Sequence, residues 1–343
     1  MDFSIFKNKY IIKGKLKVLT ALHIGSGVEE NGHDAPFITI EKKYYKDGDK
    51  IGNPKGEYFY IPGSSFRGYL STKLERLLAK GNNYKFKGKK NGEFINLNEG
   101  DVKLIFGYTN LLKKEKINVD EKNKKEKFVE DEDVIRNVLK EFLDDETINR
   151  TLKDNSIEND KNEKMKNDKA FEEAKKYSSM SGRIHISDMK ILSKFSKSIK
   201  RDGIKIDRNT GATKKGGKFD YDILPPETEF EFIMELDNIE NYQLELVKLT
   251  LNDILEGDLF GGKLSRGIGK CQLILEEVEY VNIENKEELE EYIFEKKMKI
   301  ISSEKDNKKF KEFFDNIFDV LEIYDFIQKD KSSSEKEDNN SGN

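Results

Sequence analysis

The order of strand-like and helix-like segments constrains the fold of this chain most. Between Tyr10 and Ile24, apolar residues alternate with lysines and glycine, which is the pattern of a half-buried strand. From Phe66 to Leu78, apolar residues recur at helical spacing, so an amphipathic helix follows. The predicted elements, in chain order, are strand 10–24, strand 37–40, helix 66–78, strand 183–188, strand 230–236, helix 244–255 and strand 271–279.

The central repeat of strand, helix, strand, strand, helix and strand predicts an α+β fold. It is typical of an RRM-like or ferredoxin-like antiparallel sheet backed by helices. We expect two parts of this core, one insertion, one extension and one tail. Their boundaries are 1–110 for the first part of the core, 111–180 for the insertion, 181–280 for the second part, 281–330 for the extension and 331–343 for the tail.

The insertion is set apart by its charge. Between Leu111 and Met180 there are 17 basic and 19 acidic residues, and segment 153–169 consists almost wholly of Asn, Asp, Glu and Lys. Such a composition buries little apolar surface, so we expect the insertion to be part helical and part mobile. The extension is expected to be helical, with one apolar face, and the tail to be disordered. The residues of that face are Phe310, Phe313, Phe314, Ile317, Leu321 and Tyr324.

Several classes of protein are excluded by simple counts. Cys271 is the one cysteine, which excludes a disulfide framework within the chain and a cysteine-cluster metal site. No run of about 18 apolar residues is present, so a membrane span is not expected. The first ten residues lack the apolar stretch of a signal peptide. We therefore expect a cytoplasmic protein.

The net charge of -4 conceals an uneven distribution. Segment 190–220 contains ten basic residues and three acids, whereas the chain from Val281 onward has 17 acids and 11 bases. A local basic stripe matters more than the sum, because salt screens charges beyond about 10 Å. The stripe indicates a partner that carries phosphates.

The glycine-rich loop 261–270 does not match known nucleotide-binding signatures. Leu264 stands where a P-loop needs glycine, Cys271 where it needs Ser or Thr, and Gln272 where a dinucleotide motif needs glycine. The loop still combines four glycines with three cations, so its backbone can approach a phosphate chain closely. A hairpin turn with ordinary surface charges is an equal alternative.

Two residue types offer further chemistry. None of His23, His33 and His185 has the spacing of a helical zinc pair. His23 follows a strand and precedes a glycine turn, so it can reach a phosphate or a base, whereas His185 fits a packed or exposed strand position. Asp34 lies in a glycine-containing loop, where a carboxylate can hold a divalent cation or accept a proton. The alternative for Asp34 is a turn before Pro36.

Six blocks in order resemble the RAMP superfamily of CRISPR systems, and among its members the backbone subunit of type III effector complexes. The likeness covers residues 10–110 and 181–280. The blocks are Leu22-His23-Ile24-Gly25-Ser26-Gly27, the Asp34 loop, Tyr60-Ile61-Pro62-Gly63-Ser64-Ser65-Phe66-Arg67-Gly68, Phe106-Gly107, Ile206-Asp207-Arg208-Asn209-Thr210-Gly211-Ala212, and Gly261-Gly262-Lys263-Leu264-Ser265-Arg266-Gly267-Ile268-Gly269.

This resemblance implies an RRM-like core that polymerises along a guide CRISPR RNA and a thumb-like β-hairpin that kinks the RNA. The hairpin is expected at about 197–224, where it contains the basic stripe. Ser64 and Ser65 are expected to cap the following helix and, like the glycine-rich loop, to face the RNA backbone. The expected RNA-binding residues are His23, Ser64, Ser65, Arg67, Lys200, Arg201, Arg208, Lys214, Lys215, Lys218, Gly262, Lys263, Ser265, Arg266 and Lys270.

The resemblance also implies an activity. The loop aspartate with which this family cuts target RNA aligns with Asp34, which is therefore expected to be both catalytic residue and ligand of a divalent metal, Mg²⁺ by preference. Mg²⁺ keeps most of its waters and needs only one or two carboxylates. Attack by the 2′-hydroxyl of the target is the implied route. The implied partners are guide RNA, complementary target RNA and other type III subunits, including copies or paralogues, in antiviral defence.

Two alternatives remain open at this point. The chain can be a non-catalytic scaffold or cap that binds RNA, since no second acid is apparent near Asp34 in the sequence. It can also be a guide-processing endoribonuclease that works without metal and uses His23 or His185 as general base.

Overall fold

The computed structural model describes residues 5–27, 34–41, 57–90, 92–120, 123–153, 161–193, 197–316 and 320–326. Several predicted features lie outside them: the loop 28–33 with His33, segment 154–160, Lys194, Ile317 and the tail 331–343. The strands are β1 (Asn8–Val18), β2 (Thr39–Glu41), β3 (Glu57–Ile61), β4 (Tyr84–Lys90), β5 (Glu93–Asn96), β6 (Gly107–Tyr108), β7 (Lys114–Asp120), β8 (Asn123–Phe128), β9 (Met180–Ser181), β10 (Ile184–Ile186), β11 (Met189–Lys190), β12 (Ile199–Ile206), β13 (Thr213–Ile223), β14 (Glu229–Asp237), β15 (Asp258–Leu259), β16 (Lys270–Asn282), β17 (Lys299–Ser302) and β18 (Leu321–Phe326). The helices are α1 (Gly63–Leu78), α2 (Glu99–Phe106), α3 (Glu132–Leu139), α4 (Asp145–Leu152), α5 (Lys161–Lys175), α6 (Asn241–Glu256), α7 (Lys286–Glu295) and α8 (Asn307–Asn316).

The central sheet has the order β10-β14-β1-β16-β15, with β17 added beside β16. All of its pairings are antiparallel. Helix α1 lies between β1 and β10 in the chain, and α6 lies between β14 and β16. This connectivity places β1 and β14 side by side at the centre, which is the ferredoxin-like arrangement. The predicted α+β class and antiparallel sheet are therefore confirmed.

One face of the sheet is buried because every second residue of β1, from Tyr10 onward, and of β14 lies in the core. In β14 every second residue from Phe230 to Leu236 is buried, and β1 buries Leu16 in the same layer. Helix α1 contributes Phe66, whose ring meets that of Phe232 edge-on with centroids 5.5 Å apart. Each such side chain stabilises the fold by about 1.5–3 kcal/mol when fully buried. This apolar layer fixes α1 and α6 against the sheet.

The opposite face of the sheet is charged and internally paired. Lys9 Nζ lies 2.6 Å from the Glu235 carboxylate, and Lys15 Nζ lies 3.0 Å from that of Glu276. Such partly exposed pairs contribute about 0–1 kcal/mol each. Their main effect is that acidic side chains of the neighbouring strands neutralise Lys9 and Lys15 of β1.

The insertion 111–180 has a small core of its own. Its strands β7 and β8 form a hairpin, its helices α3, α4 and α5 pack together, and Phe142 stacks on Tyr177 with centroids 4.7 Å apart. Part of the insertion was expected to be mobile, but from Lys161 onward the chain forms the helix α5. Ala170 and Ala174 are buried and attach this helix to the rest of the insertion. The cluster comprises Leu104, Tyr108, Leu111, Leu112, Phe128, Ile135, Val138, Leu139, Ile148 and Ala174.

A buried carboxylate joins this insertion to the core. Asp101 on α2 accepts hydrogen bonds from Asn98 N at 2.8 Å, from Asn137 Nδ2 at 2.9 Å and from Tyr242 Oη at 3.3 Å. Asn137 belongs to α3 of the insertion and Tyr242 to α6 of the core. Burial raises the pKa of Asp101 to about 6, because the low-dielectric surroundings disfavour its charged form.

The extension after Val281 differs from the helical expectation. It contains α7 and α8 but also β17 and β18, and β18 pairs with β4. Leu321 and Tyr324 therefore belong to a strand rather than to one helical face with Phe310. Pairing with the edge of β4 makes this segment a strand, although its sequence does not alternate with a strict period of two. Among the described residues, no helix combines the length and the apolar character that crossing a membrane requires.

Candidate nucleic-acid interface

The glycine-rich loop 261–269 connects β15 to β16 through a single 3₁₀ turn at Leu264–Arg266. Gly261 has a φ of 97°, and a Cβ there would come 2.8 Å from the carbonyl oxygen of His23. A Cβ on Gly269, where φ is 96°, would come 2.7 Å from the carbonyl oxygen of Phe260. Only glycine fits both positions, so the loop lies directly on the chain at residues 21–24.

His23 packs against the glycine-rich loop at Gly261 and Gly262. Its side chain is only 4% exposed, Gly262 N donates to its carbonyl oxygen at 2.8 Å, and its Nδ1 lies 2.6 Å from the carbonyl oxygen of Asp222. Burial lowers the pKa of His23, which favours a neutral ring that donates from Nδ1. The ring expected at the RNA surface thus lies beneath the loop and connects it to β13.

Strands β12 and β13 form the antiparallel hairpin expected at 197–224. The hairpin contacts the glycine-rich loop through Arg266, whose guanidinium carbon lies 4.5 Å from the ring centroid of Phe219 and 5.2 Å from that of Tyr221. Ile268 and Ile223 are buried together beneath these rings. The base of the hairpin and the loop therefore form one packed surface.

The cations of the hairpin fall into two groups. Lys200 Nζ lies 2.5 Å from the Asp220 carboxylate, and Lys218 Nζ lies 3.3 Å from that of Asp202, so these two lysines are paired across the strands. The other group is exposed, and the residues that the structure describes provide no ion pair for any of its members. These are Arg201, Lys205, Arg208, Lys214 and Lys215.

The tip of the hairpin is held by Asp207. Its carboxylate accepts from Asn209 N at 2.9 Å and from Thr210 N at 3.2 Å, and its carbonyl oxygen accepts from Gly211 N at 2.9 Å. One of the acids of this segment is thereby used for turn geometry. The exposed cations then give the tip a positive charge that suits a phosphate chain.

Helix α1 begins beside the glycine-rich loop. Its N-cap is Pro62, which makes no side-chain cap, and Oδ1 of Asp188 accepts from the N–H of Gly63 at 2.8 Å. Ser64 and Ser65 lie inside the first turn, so the predicted serine cap is wrong. Ser65 and Gly68 line a groove of about 750 Å³ together with Gly261 and Gly262. The structure therefore brings Ser65 and the glycine-rich loop to the same groove.

The same groove contains residues that the sequence reading missed. Thr72, Lys73 and Arg76 follow Ser65 along one face of α1 and line the groove. Lys73 is neutralised by Asp253 and Asp258. Thr72 and Arg76 follow Ser65 by about two and three helical turns, and this spacing was the signal that could have identified them.

Arg67 faces away from this groove. Its guanidinium carbon lies 5.8 Å from the ring centroid of Phe106, and it lines a separate cleft of about 450 Å³ with His185. His185 is exposed, with Nε2 3.9 Å from an oxygen of Asp237. Arg67 and His185 thus lie together at the root of the insertion, apart from the loop and the hairpin.

Asp34 lies against the base of the hairpin. Its backbone N–H donates to Oδ1 of Asp220 at 3.0 Å, and the backbone N–H of Asp220 donates to Oδ2 of Asp34 at 3.0 Å. Asp34 is exposed. Asp220, on β13, is the second acid that the sequence did not reveal.

The remaining expected residues lie at the loop surface. Lys263, Ser265, Arg266 and Lys270 are exposed, and Lys263 has a left-handed backbone with φ of 60°. Lys270 begins β16, where its N–H donates to Thr20 Oγ1 at 3.1 Å. By contrast, the open face of the central sheet carries paired lysines and glutamates. Phosphates are therefore favoured at the loop and hairpin, not on that face.

Comparison with known proteins gives the family. The family model of the RAMP superfamily matches residues 15–272, which is more than half of the chain. The chain therefore belongs to the RAMP superfamily. It is a CRISPR-associated RNA-binding protein, since proteins of this superfamily bind CRISPR RNA and act in multi-subunit complexes. No curated protein matches the chain.

Proposed function

We propose that this chain is a guide-RNA-binding backbone subunit of a type III CRISPR effector complex and that it cleaves complementary target RNA through Asp34. The observation that carries the proposal is the position of Asp34. An exposed carboxylate is hydrogen-bonded to the base of a basic hairpin, beside the glycine-rich loop. Cations for phosphate contact and an acid for chemistry thus occupy the same side of the molecule.

Guide binding is supported by the groove between α1 and the glycine-rich loop and by the hairpin tip. The exposed Gly261 and the hydroxyl of Ser65 suit close approach of phosphate oxygens, which carry no sequence information. Arg208, Lys214 and Lys215 extend the positive surface beyond the groove. Sequence-independent contacts of this kind are what a subunit needs when base pairing reads the target.

The donor set near Asp34 fits a divalent cation with a mostly aqueous shell. Oδ2 of Asp34 accepts from Asp220 N, while Oδ1 has no hydrogen-bond donor among the residues described. Within that part of the chain there is no group of three or more His, Cys, Asp or Glu side chains that could hold a metal ion. A hydrated Mg²⁺ needs only one or two carboxylates, so Asp34 Oδ1 would be its ligand.

When bound, such an ion supplies charge stabilisation at the scissile phosphate. The role of this chain is to hold guide and target so that a target 2′-hydroxyl faces the adjacent phosphorus in line with the leaving 5′-oxygen. Holding reactants in this way supplies much of the rate enhancement in phosphoryl transfer. Attack by the 2′-hydroxyl leaves a 2′,3′-cyclic phosphate and a 5′-hydroxyl, which can be identified on the products.

The test is the Asp34→Ala variant in the purified effector complex, assayed with guide-complementary RNA and Mg²⁺. We expect wild type to cut the target at regular intervals and the variant to lose cutting, with guide and target affinities unchanged. Asp202→Ala, an exposed aspartate on the hairpin, is the matched control and should cut normally. Full cleavage by Asp34→Ala contradicts the proposed activity.

The second candidate function is a scaffold or cap that binds RNA and cuts nothing. It predicts that wild-type complex leaves complementary RNA intact in Mg²⁺, whereas regular cuts contradict it. Metal-independent guide processing is disfavoured by the structure for His23, which is buried under Gly262. His185 is exposed beside Arg67, so cutting of repeat RNA in EDTA that His185→Ala abolishes would favour that function instead.

A further inference from the structure

We propose that Asp220 is a positioning residue for Asp34, so that the hairpin contacted by the guide also sets the position of the cleaving carboxylate. This inference rests on the proposed function of Asp34. Its basis is the reciprocal pair of hydrogen bonds in which each aspartate donates its backbone N–H to the carboxylate of the other, both at 3.0 Å. One bond fixes the backbone of Asp34 and the other fixes its side chain.

The backbone around Asp34 shows why these two bonds matter. Ala35 accepts from Asp222 N at 3.0 Å, and Pro36 accepts from Ser26 N at 3.2 Å, so the chain after Asp34 is paired on both sides. Asp34 is the first residue of this stretch, and its contacts with Asp220 continue the pairing by one residue. The position of the Asp34 backbone therefore depends on the Asp220 carboxylate, and the direction of the Asp34 carboxylate depends on the backbone N–H of Asp220.

The charges at this position are balanced by Lys200. Oδ1 of Asp220 accepts from Asp34 N, and Oδ2 lies 2.5 Å from Lys200 Nζ. Two adjacent carboxylates repel each other unless a cation is near, and the ammonium group supplies it. The ion pair raises the pKa of Lys200, mainly through this hydrogen bond. Lys200 thus supports the aspartate pair, which differs from the RNA contact predicted from the sequence.

Strand β13 connects the part of the hairpin that is proposed to bind the guide with the aspartate that is proposed to cleave the target. Strand β13 leads directly from the exposed cations Lys214 and Lys215 to Asp220. A guide that docks against the tip is thereby held by the same strand that aligns Asp34. A displacement of about 1 Å between reacting groups can reduce a rate about 100-fold, so this alignment matters for cleavage.

The experiment compares Asp220→Ala, Asp220→Asn and Asp202→Ala in the purified effector complex. For each, single-turnover cleavage of complementary RNA in saturating Mg²⁺ and the dissociation constant for that RNA are measured. Asp220→Ala keeps the backbone N–H that donates to the Asp34 carboxylate but removes the oxygen that accepts from Asp34 N. We expect it to cut up to about 100-fold more slowly at unchanged affinity, because the Asp34 backbone is then no longer held. Asp220→Asn keeps an oxygen that accepts from Asp34 N and should restore most of the rate. Asp202→Ala, which lies opposite Asp220 in the hairpin register, should cut normally.

Two results overturn the inference: cleavage by Asp220→Ala at the wild-type rate, or cleavage by Asp220→Asn as slow as by the alanine variant. If Asp220→Ala does not fold, the asparagine variant alone decides, since a large loss there shows that charge rather than position is required. Asp34→Ala in the same assay separates the two proposals. Its full activity removes the proposed function, whereas its inactivity with a fully active Asp220→Ala removes only the positioning role.

Discussion

The guanidinium of Arg266 lies over the ring of Phe219, 4.5 Å from its centroid, and so joins the glycine-rich loop to the hairpin. A cation above an aromatic face contributes about 0.5–1 kcal/mol at an exposed site. Planar stacking of this kind is specific to arginine, since a lysine ammonium keeps the cation–π attraction but cannot stack. The contact therefore gives Arg266 a structural role beside any contact with phosphate.

We predict that Arg266→Lys, which keeps the charge but not the stacking, lowers the free energy of unfolding by about 0.5 kcal/mol. Amide hydrogen exchange in residues 261–269 should become faster, because the loop loses its attachment to Phe219 and Tyr221. Urea unfolding and exchange mass spectrometry measure both effects. Lys263→Ala removes a neighbouring loop cation without a stacked ring and is the control. Equal stability of Arg266→Lys and wild type contradicts the structural role.

The exposed cations of the hairpin tip make a second prediction. Reversing Lys214 and Lys215 to glutamate should weaken guide binding and reduce its dependence on salt, because each lost phosphate contact removes released counterions. For single-stranded RNA the slope of log affinity against log salt should fall by about 1.4 for two contacts. Binding titrations at several salt concentrations measure this slope.

The matched control for the tip is the double reversal of Lys164 and Lys166, two exposed lysines on α5 of the insertion. It changes the net charge by the same amount on a different surface. The slope should remain that of wild type. An unchanged slope for the tip variant would remove Lys214 and Lys215 from the interface, and an equal loss in both variants would show a general charge effect only.

Much of the fold could be predicted because its determinants are local. Alternation around Leu16 and Phe232 and the helical spacing from Phe66 to Leu78 each occur within one short segment. The extension was predicted less well, because Leu321 and Tyr324 also fit a helical period. Pairing with β4, about 230 residues earlier in the chain, decides their structure, and no local pattern reveals it.

The segments that form the candidate site could be predicted from the sequence, but the contacts between their side chains could not. Asp34 and Asp220 are 186 residues apart, so nothing in the sequence near Asp34 indicates its partner. Likewise, the charge of Lys200 is visible in the sequence, but its ion pair with Asp220 is not. Arg67 follows Ser65 by two residues, which is about 200° around a helix, and this rotation turns it away from the groove.

The glycine-rich loop makes a third prediction. Gly261→Ala should lower the free energy of unfolding by about 1–3 kcal/mol, because alanine is strained at a φ of 97° and its Cβ would approach the His23 carbonyl oxygen. Gly81→Ala is the control, since a Cβ there would meet nothing within 4 Å. Urea unfolding measures both variants. A loss in Gly261→Ala no larger than that in Gly81→Ala would contradict the proposed fit of the loop.

The attachment of the insertion makes a prediction about pH. The pKa of Asp101 is about 6 in the folded protein and about 3.8 when unfolded, so the unfolded chain binds fewer protons at this site between these values. Stability contributed by Asp101 therefore increases as the pH falls from about 6 to about 4 and is lost as the pH rises through 6. The full difference between the two pKa values corresponds to roughly 3 kcal/mol in the free energy of unfolding.

Asp101→Asn should remove this contribution, since an amide does not titrate. The difference in free energy of unfolding between wild type and variant should thus change by roughly 2 kcal/mol between pH 4 and pH 7, in favour of wild type at the lower pH. Taking this difference cancels the titration of all other groups. Urea unfolding at several pH values measures it, with Asp133→Asn, an exposed aspartate of α3, as control. A difference that stays constant with pH would show that Asp101 is ionised in the folded and unfolded chains alike.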